Sequence, residues 1–133
     1  MYNIEEMIKE KQENGLRQAE DLLRMFIKNL NKKITEAIES KNYKYTSKTT
    51  SIQVEIDAPE ESVDLLDDLD NHHQNINEVI VDGVVYILHS YASFENIHAS
   101  TYFTLKVKNH PNGINSIKLH YESGYNKCVL FLK

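Results

Sequence analysis

Residues 15–40, with the sequence GLRQAEDLLRMFIKNLNKKITEAIES, decide the fold of this chain. Apolar side chains recur there at steps of three and four residues, from Leu16 through Leu23, Ile27 and Ile34 to Ile38. This spacing predicts one long helix over about 16–40 with a wide apolar stripe. The rest of the chain favours short strands, so we expect an α+β fold in which N-terminal helices pack on an antiparallel sheet of about five to six strands.

The first fourteen residues also have a helical pattern, with Ile4, Met7 and Ile8 on one side. A single helix over 3–40 would be about 57 Å long, about twice the diameter of a domain of this size. Because Asn and Gly suit a left-handed C-cap, we predict that a first helix ends at Asn14-Gly15. The alternative is an unbroken helix whose overhang pairs with a second copy. In both cases Ile4, Met7 and Ile8 lack a partner surface, which makes 1–14 a candidate oligomerisation helix and a homodimer the expected assembly.

Alternating apolar and polar residues indicate the strands. Asp82-Gly83, between two β-branched runs, supplies the positive φ angles of a type I′ hairpin. The segment 41–50 loses the helical period and is expected to be a loop that enters a strand. The predicted strands are 52–56, 79–81, 84–91, 99–108, 117–121 and 128–132.

A short acidic helix is predicted over about 59–71, with Asp57 as the N-cap and Pro59 in the first turn. This helix belongs to a segment of unusual charge. The whole chain has a net charge of −5, but residues 51–95 contain eleven carboxylates and no lysine or arginine. The flanking segments, 1–50 and 96–133, are both net positive. The middle third of the sequence is therefore polyanionic.

Length and composition favour a single domain over 1–133, since 133 residues with 41% hydrophobic content suffice for one core. Cys128 is the only cysteine and cannot form an intramolecular disulfide. The N-terminus lacks the basic start and apolar run of a signal peptide, and no apolar run reaches the length of a membrane span. We therefore expect a cytoplasmic protein without a membrane partner.

Enzyme motifs are not found in the sequence. Cys128 lies in an apolar run, Cys-Val-Leu-Phe-Leu, where a small buried side chain is the expected role. The six histidines have no metal-ligand spacing, and the adjacent His72 and His73 would point apart. The four glycines are isolated, so there is no phosphate-binding loop. We predict a non-enzymatic protein with no catalytic residues, no metal and no cofactor.

The first functional hypothesis is a binding protein that uses its acidic segment against a protein partner with a basic groove, in the way that a nucleic acid would occupy it. The small size and the Lys, Asn and Ile enrichment suggest a phage or mobile-element inhibitor of a host protein. Solubility alone is the simpler explanation of the same charge. The predicted partner-binding residues are Glu55, Asp57, Glu60, Glu61, Asp64, Asp67, Asp68 and Asp70.

The alternative is a small-ligand, nucleotide-like sequestering protein, or a degenerate enzyme, with a pocket on the open face of the sheet. Its candidate residues are His89, Tyr91, His98, Tyr102 and His120. Direct nucleic-acid binding is not expected, because the chain is acidic and has only two arginines. The order of a long helix followed by antiparallel strands resembles the layout of cystatin-like and NTF2-like folds, and such a resemblance implies a fold without a function.

Overall fold

The structure, a computed structural model, describes residues 3–48, 51–59, 69–76, 78–94, 100–122 and 125–132. One long helix, α1, is followed along the chain by seven strands. The fold is α+β, as predicted, with α1 packed on one face of an antiparallel sheet. The elements are α1 (Ile4–Ser40), β1 (Lys44–Lys48), β2 (Ser51–Asp57), β3 (Val79–Val81), β4 (Val84–Phe94), β5 (Ser100–Lys108), β6 (Ile114–Glu122) and β7 (Tyr125–Leu132).

The predicted break at Asn14-Gly15 is wrong, because α1 runs without interruption from Ile4 to Ser40. Its caps lie elsewhere: Asn3 Oδ1 accepts a hydrogen bond from Glu5 N at 3.0 Å, and Lys41 closes the C-terminus in the left-handed conformation. Gly15 has a different role, since a Cβ at that position would lie 2.8 Å from His72 Nε2. The absence of a side chain at Gly15 lets the His72 ring approach the helix backbone.

The sheet has the strand order β1-β2-β7-β6-β5-β4-β3, and every neighbouring pair is antiparallel. Seven strands exceed the predicted five to six because residues 44–48, expected to be a loop entering a strand, form the edge strand β1. Residues 44–47 are all exposed, so β1 lacks the alternation that marks a half-buried strand. The predicted type I′ hairpin is confirmed, with φ of +51° at Asp82 and +80° at Gly83.

The core lies between α1 and the inner face of the sheet. Phe26 of α1 makes edge-on contacts with Phe103 at 5.9 Å and Tyr121 at 6.2 Å, measured between ring centroids. Those two rings stack on each other at 6.0 Å across β5 and β6. Cys128 is fully buried in the same core, as predicted. The apolar stripe of the sequence therefore covers the centre of the sheet.

β2 and β3 lie toward opposite edges of the sheet, and the described part of the connection between them lies on the helix side. This part, 69–76, is helical over 69–72, and both Leu69 and Ile76 belong to the core. His73 stacks on Tyr91 with ring centroids 4.6 Å apart. The predicted acidic helix over 59–71 falls mostly on residues 60–68, which lie outside the described residues.

The N-terminal part of α1 extends beyond the core. Every residue from Asn3 to Asn14 is exposed, including Ile4 at 73%, Met7 at 44% and Ile8 at 52%. We call residues 4–14 the overhang. The first buried residue of the helix is Ala19. No helix within the described part of the chain has the length and apolar character that a membrane crossing requires.

Candidate functional site

The outer face of the sheet, opposite α1, brings together a row of polar and aromatic side chains. Strand register places Asp57 of β2 beside Lys127 of β7, Lys127 beside His120 of β6, and His120 beside Tyr102 of β5. These residues alternate with buried ones such as Ile56, so their side chains share the outer face. Four strands thus align four functional side chains across the sheet.

Tyr102 and His120 form the aromatic centre of this row. Their rings stack with centroids 4.1 Å apart and an interplanar angle of 19°. Tyr102 nevertheless remains 41% exposed, which is high for a large aromatic side chain in a sheet. His120 Nε2 lies 3.3 Å from Glu122 Oε2. The pair presents aromatic surface to solvent in a fixed orientation.

A groove of about 370 Å³ lies over this aromatic pair. It is bordered by Glu55, Thr104, Lys118, Lys127 and the Tyr102–His120 stack. Its volume falls within the lower part of the range of small-ligand sites. The groove therefore has room for one small molecule lying against the stacked rings.

Lys118 is one of the two lysines that border the groove. It lies two residues before His120 on β6, which places it about 7 Å along the strand from the aromatic pair. Its cross-strand neighbours are Thr104 and Val129, neither of which is charged. Among the residues that the structure describes, Lys118 has no ion-pair partner. An ammonium group in such a position can bind an anionic substituent of a ligand.

Lys127, the second groove cation, is engaged with Asp57. Its Nζ donates a hydrogen bond to Asp57 Oδ1 and forms an ion pair with it. This hydrogen bond and the charge of Lys127 lower the pKa of Asp57 below its usual value, with a smaller contribution from Lys33. Asp57 is therefore ionised at neutral pH and partly neutralises Lys127, which leaves Lys118 as the more available cation.

The other residues of the predicted pocket have different positions. Tyr91 borders the groove, but its ring packs on the core side, where it stacks on His73 and donates a hydrogen bond to Asp70 Oδ1 at 3.4 Å. His89 is exposed at a β-bulge between Leu88 and Ser90. His98 lies outside the described residues. The structure thus brings together two of the five candidates, Tyr102 and His120.

The acidic residues predicted to bind a partner are only partly described. Glu55 and Asp57 lie on the outer face of the sheet, and Asp70 lies on the helix side, next to Tyr91. The three described carboxylates therefore do not share one surface. The remaining five, Glu60, Glu61, Asp64, Asp67 and Asp68, lie outside the described residues.

Sequence reasoning missed the two groove lysines. Lys118 lies two residues from His120 and therefore on the same face of β6. Lys127 is adjacent to the buried Cys128 and therefore lies on the opposite, outer face of β7. Extending the alternation from the aromatic residues to the lysines would have placed both on the outer face. Among the described residues, no three His, Cys, Asp or Glu side chains are grouped as a metal site.

Comparisons with known proteins give no guide to this site: no protein-family model, no curated protein and no solved structure matches the chain. The resemblance in layout to cystatin-like and NTF2-like folds thus remains an analogy.

Proposed function

We propose that this protein binds, without chemical conversion, a small planar anion of the nucleotide class in the groove on the outer face of its sheet. The observation that carries the proposal is the exposed Tyr102–His120 stack with Lys118 about 7 Å away along β6. An aromatic ring of the ligand would stack on Tyr102 while its anionic group binds the Lys118 ammonium. A mononucleotide joins a planar base to a phosphate over a comparable distance.

The stacking contact and the phosphate contact make separate contributions to the binding free energy. Stacking of a base on an aromatic side chain is worth about 1–3 kcal/mol when that side chain is replaced by alanine. A hydrogen bond between a charged donor and a phosphate contributes roughly 1.5–3 kcal/mol. At about 1.4 kcal/mol per tenfold change, the stacking contact accounts for roughly a 5- to 150-fold difference in affinity and the phosphate contact for roughly a 10- to 150-fold difference.

Isothermal titration calorimetry with adenosine and guanosine monophosphates tests the proposal. Binding should weaken on removal of the phosphate, as in the free nucleoside, and as salt concentration rises. Tyr102→Ala and Lys118→Ala should each reduce the affinity by the factor given above. Two controls are Ile80→Ala, an exposed apolar residue of β3, and Lys106→Ala, an exposed lysine of β5, both outside the groove.

Three results would overturn the proposal. The first is the absence of binding by any mononucleotide, and the second is binding that the control variants reduce as much as the groove variants do. The third is an affinity for a single-stranded oligonucleotide far above that for its mononucleotide, since an extended ligand would then replace the small one.

The acidic segment supports a second proposal, capture of a protein partner with a basic groove, namely a host protein that a phage or mobile element inhibits. It rests on the eleven carboxylates without a lysine or arginine in 51–95. Replacing Asp64, Asp67, Asp68 and Asp70 with asparagine should abolish capture of the partner, with circular dichroism as the test of an intact fold. Unchanged capture by this variant would rule out the acidic-surface mechanism.

We also propose that the chain self-associates, because the exposed overhang matches the alternative of an unbroken helix whose overhang pairs with a second copy. The unbroken helix leaves Ile4, Met7 and Ile8 without contacts to the core. Sedimentation of the full chain over a range of concentrations measures this directly, and a dimer is the expected result.

A further inference from the structure

A second apolar surface lies at the opposite end of α1. The helix ends at Ser40, and an open cavity of about 300 Å³ lies between its last turns, from Ile34 to Ile38, and the inner face of β1, β2, β6 and β7. We call this the apolar groove. Apart from Asn112, every residue that lines it is aliphatic or tyrosine, and Ile38, Tyr43 and Tyr45 are 54%, 41% and 59% exposed. So much exposed apolar surface in one place marks an interaction site.

We propose that this groove is the docking site for the overhang of a second copy of the same chain, so that two copies exchange their helix ends across a two-fold axis. The proposal rests on the expectation that the chain self-associates, and it specifies which surfaces meet. The convex stripe Ile4, Met7 and Ile8 of one copy would insert between Ile38 and Tyr45 of the other. A two-fold arrangement buries both unpartnered surfaces of each chain at once.

Helix geometry shows why the occupant cannot be the overhang of the same chain. Ile8 and Ala37 are separated by 29 positions of one continuous helix, a distance of about 44 Å at 1.5 Å per residue. Because α1 does not break at Gly15, the overhang cannot fold back onto the groove of its own chain. An unbroken helix therefore presents the stripe at one end of the molecule and the groove at the other, as reciprocal exchange requires.

Charge favours the same pairing. The overhang contains four glutamates and two lysines, a net charge of −2. Residues 41–48, of which Tyr43 and Tyr45 line the groove, contain three lysines and no acidic residue. Lys41 adjoins Ile38 at the edge of the groove, with its backbone N 3.4 Å from Ile38 O, whereas Lys44 lies on the opposite face of β1 beside Glu55. An acidic helix with an apolar stripe thus meets an apolar groove next to a segment of net positive charge, whereas two overhangs packed on each other would bring like charges together.

Sedimentation equilibrium on designed variants tests the exchange. The full chain should be dimeric, and both the overhang variant Met7→Glu/Ile8→Glu and the groove variant Tyr45→Glu should be monomeric. Mixing the two variants should restore a dimer, weaker than the original, because the intact overhang of one variant still fits the intact groove of the other. Met25→Glu is the matched control, since Met25 is an apolar residue of α1, 59% exposed, outside both surfaces.

A cross-link provides an independent measurement. Cys128 is buried and does not interfere, so Ile8→Cys chains mixed with Tyr45→Cys chains should form a disulfide between the two kinds of chain under mild oxidation. Met25→Cys in place of Ile8→Cys should not do so.

Each contrary outcome has a distinct meaning. A monomeric full chain would overturn both self-association and the exchange. A dimer that survives the overhang or groove substitutions would overturn the exchange while leaving self-association in place. Failure of the mixed variants to associate would also overturn the exchange. Overhang-to-overhang packing would appear instead as a groove variant that stays dimeric.

Discussion

The close approach of His72 to Gly15 predicts a specific coupling between these two residues. Alanine is more favourable than glycine in a helix interior by about 0.8–1.0 kcal/mol, so Gly15→Ala would ordinarily stabilise α1. The new methyl carbon would, however, lie 2.8 Å from His72 Nε2 and 3.1 Å from His72 Cε1, which forces the ring to move. In the wild-type background we expect no net gain. In a His72→Ala background the same substitution should raise the free energy of unfolding by about 1 kcal/mol.

Urea denaturation of the four members of this cycle measures the coupling, which should be about 1 kcal/mol or more. Asn14→Ala, an exposed helical position next to Gly15, is the control and should change stability equally in both backgrounds. An equal stabilisation by Gly15→Ala in both backgrounds would refute the close approach. Destabilisation in both would instead indicate a left-handed C-cap at Gly15, the conformation predicted from the sequence.

Three further measurements test the core and its titrating groups. Phe26→Ala should lower the free energy of unfolding by about 3–5 kcal/mol in urea denaturation, whereas Met25→Ala at the exposed neighbouring position should change it little. Cys128, whose thiol pKa is raised by burial, should resist iodoacetamide in the folded protein and react once the protein is unfolded; rapid alkylation of the native state would contradict its burial. Burial lowers the pKa of His110 below its usual 6.5, and its Nδ1 accepts a hydrogen bond from Asn112 N, so folding favours the neutral ring. The stabilisation from His110 should therefore be complete above pH 6.5 and decline as the pH falls through the lower folded pKa, a slope that His110→Gln should reduce.

The α+β layout was predictable because it depends on strong periodic signals. The stripe centred on Phe26 and the alternation around Phe103 each identify one buried face without reference to the rest of the chain. Asp82-Gly83 likewise fixes its hairpin through local backbone preferences. The helix break was predicted wrongly because Asn14-Gly15 carries a local C-cap signal, while the reason for the glycine, the ring of His72, lies 57 positions away along the chain.

The candidate site could be predicted from the sequence only in part, for a related reason. Simple alternation places Tyr102 and His120 on one face, and the structure stacks them there. The bulge between Leu88 and Ser90 shifts the register of β4 by one residue, and this inserted residue directs the Tyr91 ring to the core. Sequence patterns do not show which residue will be inserted. The order in which strands lie side by side, which sets Lys127 beside His120, is equally a property of the whole fold.

The position of β7 within the sheet has a consequence for how the chain folds during synthesis. β7 joins the β1–β2 hairpin to the β3–β6 part of the sheet, yet it is translated after all of them. Until the ribosome has released residues 125–132, the nascent chain holds two separate sheet fragments, with the edges of β2 and β6 unpaired. Such edges are templates for aggregation, and pairings this distant in sequence form slowly. A chain interrupted before Tyr125 should therefore be a substrate for chaperones and proteases rather than a shortened version of the native protein.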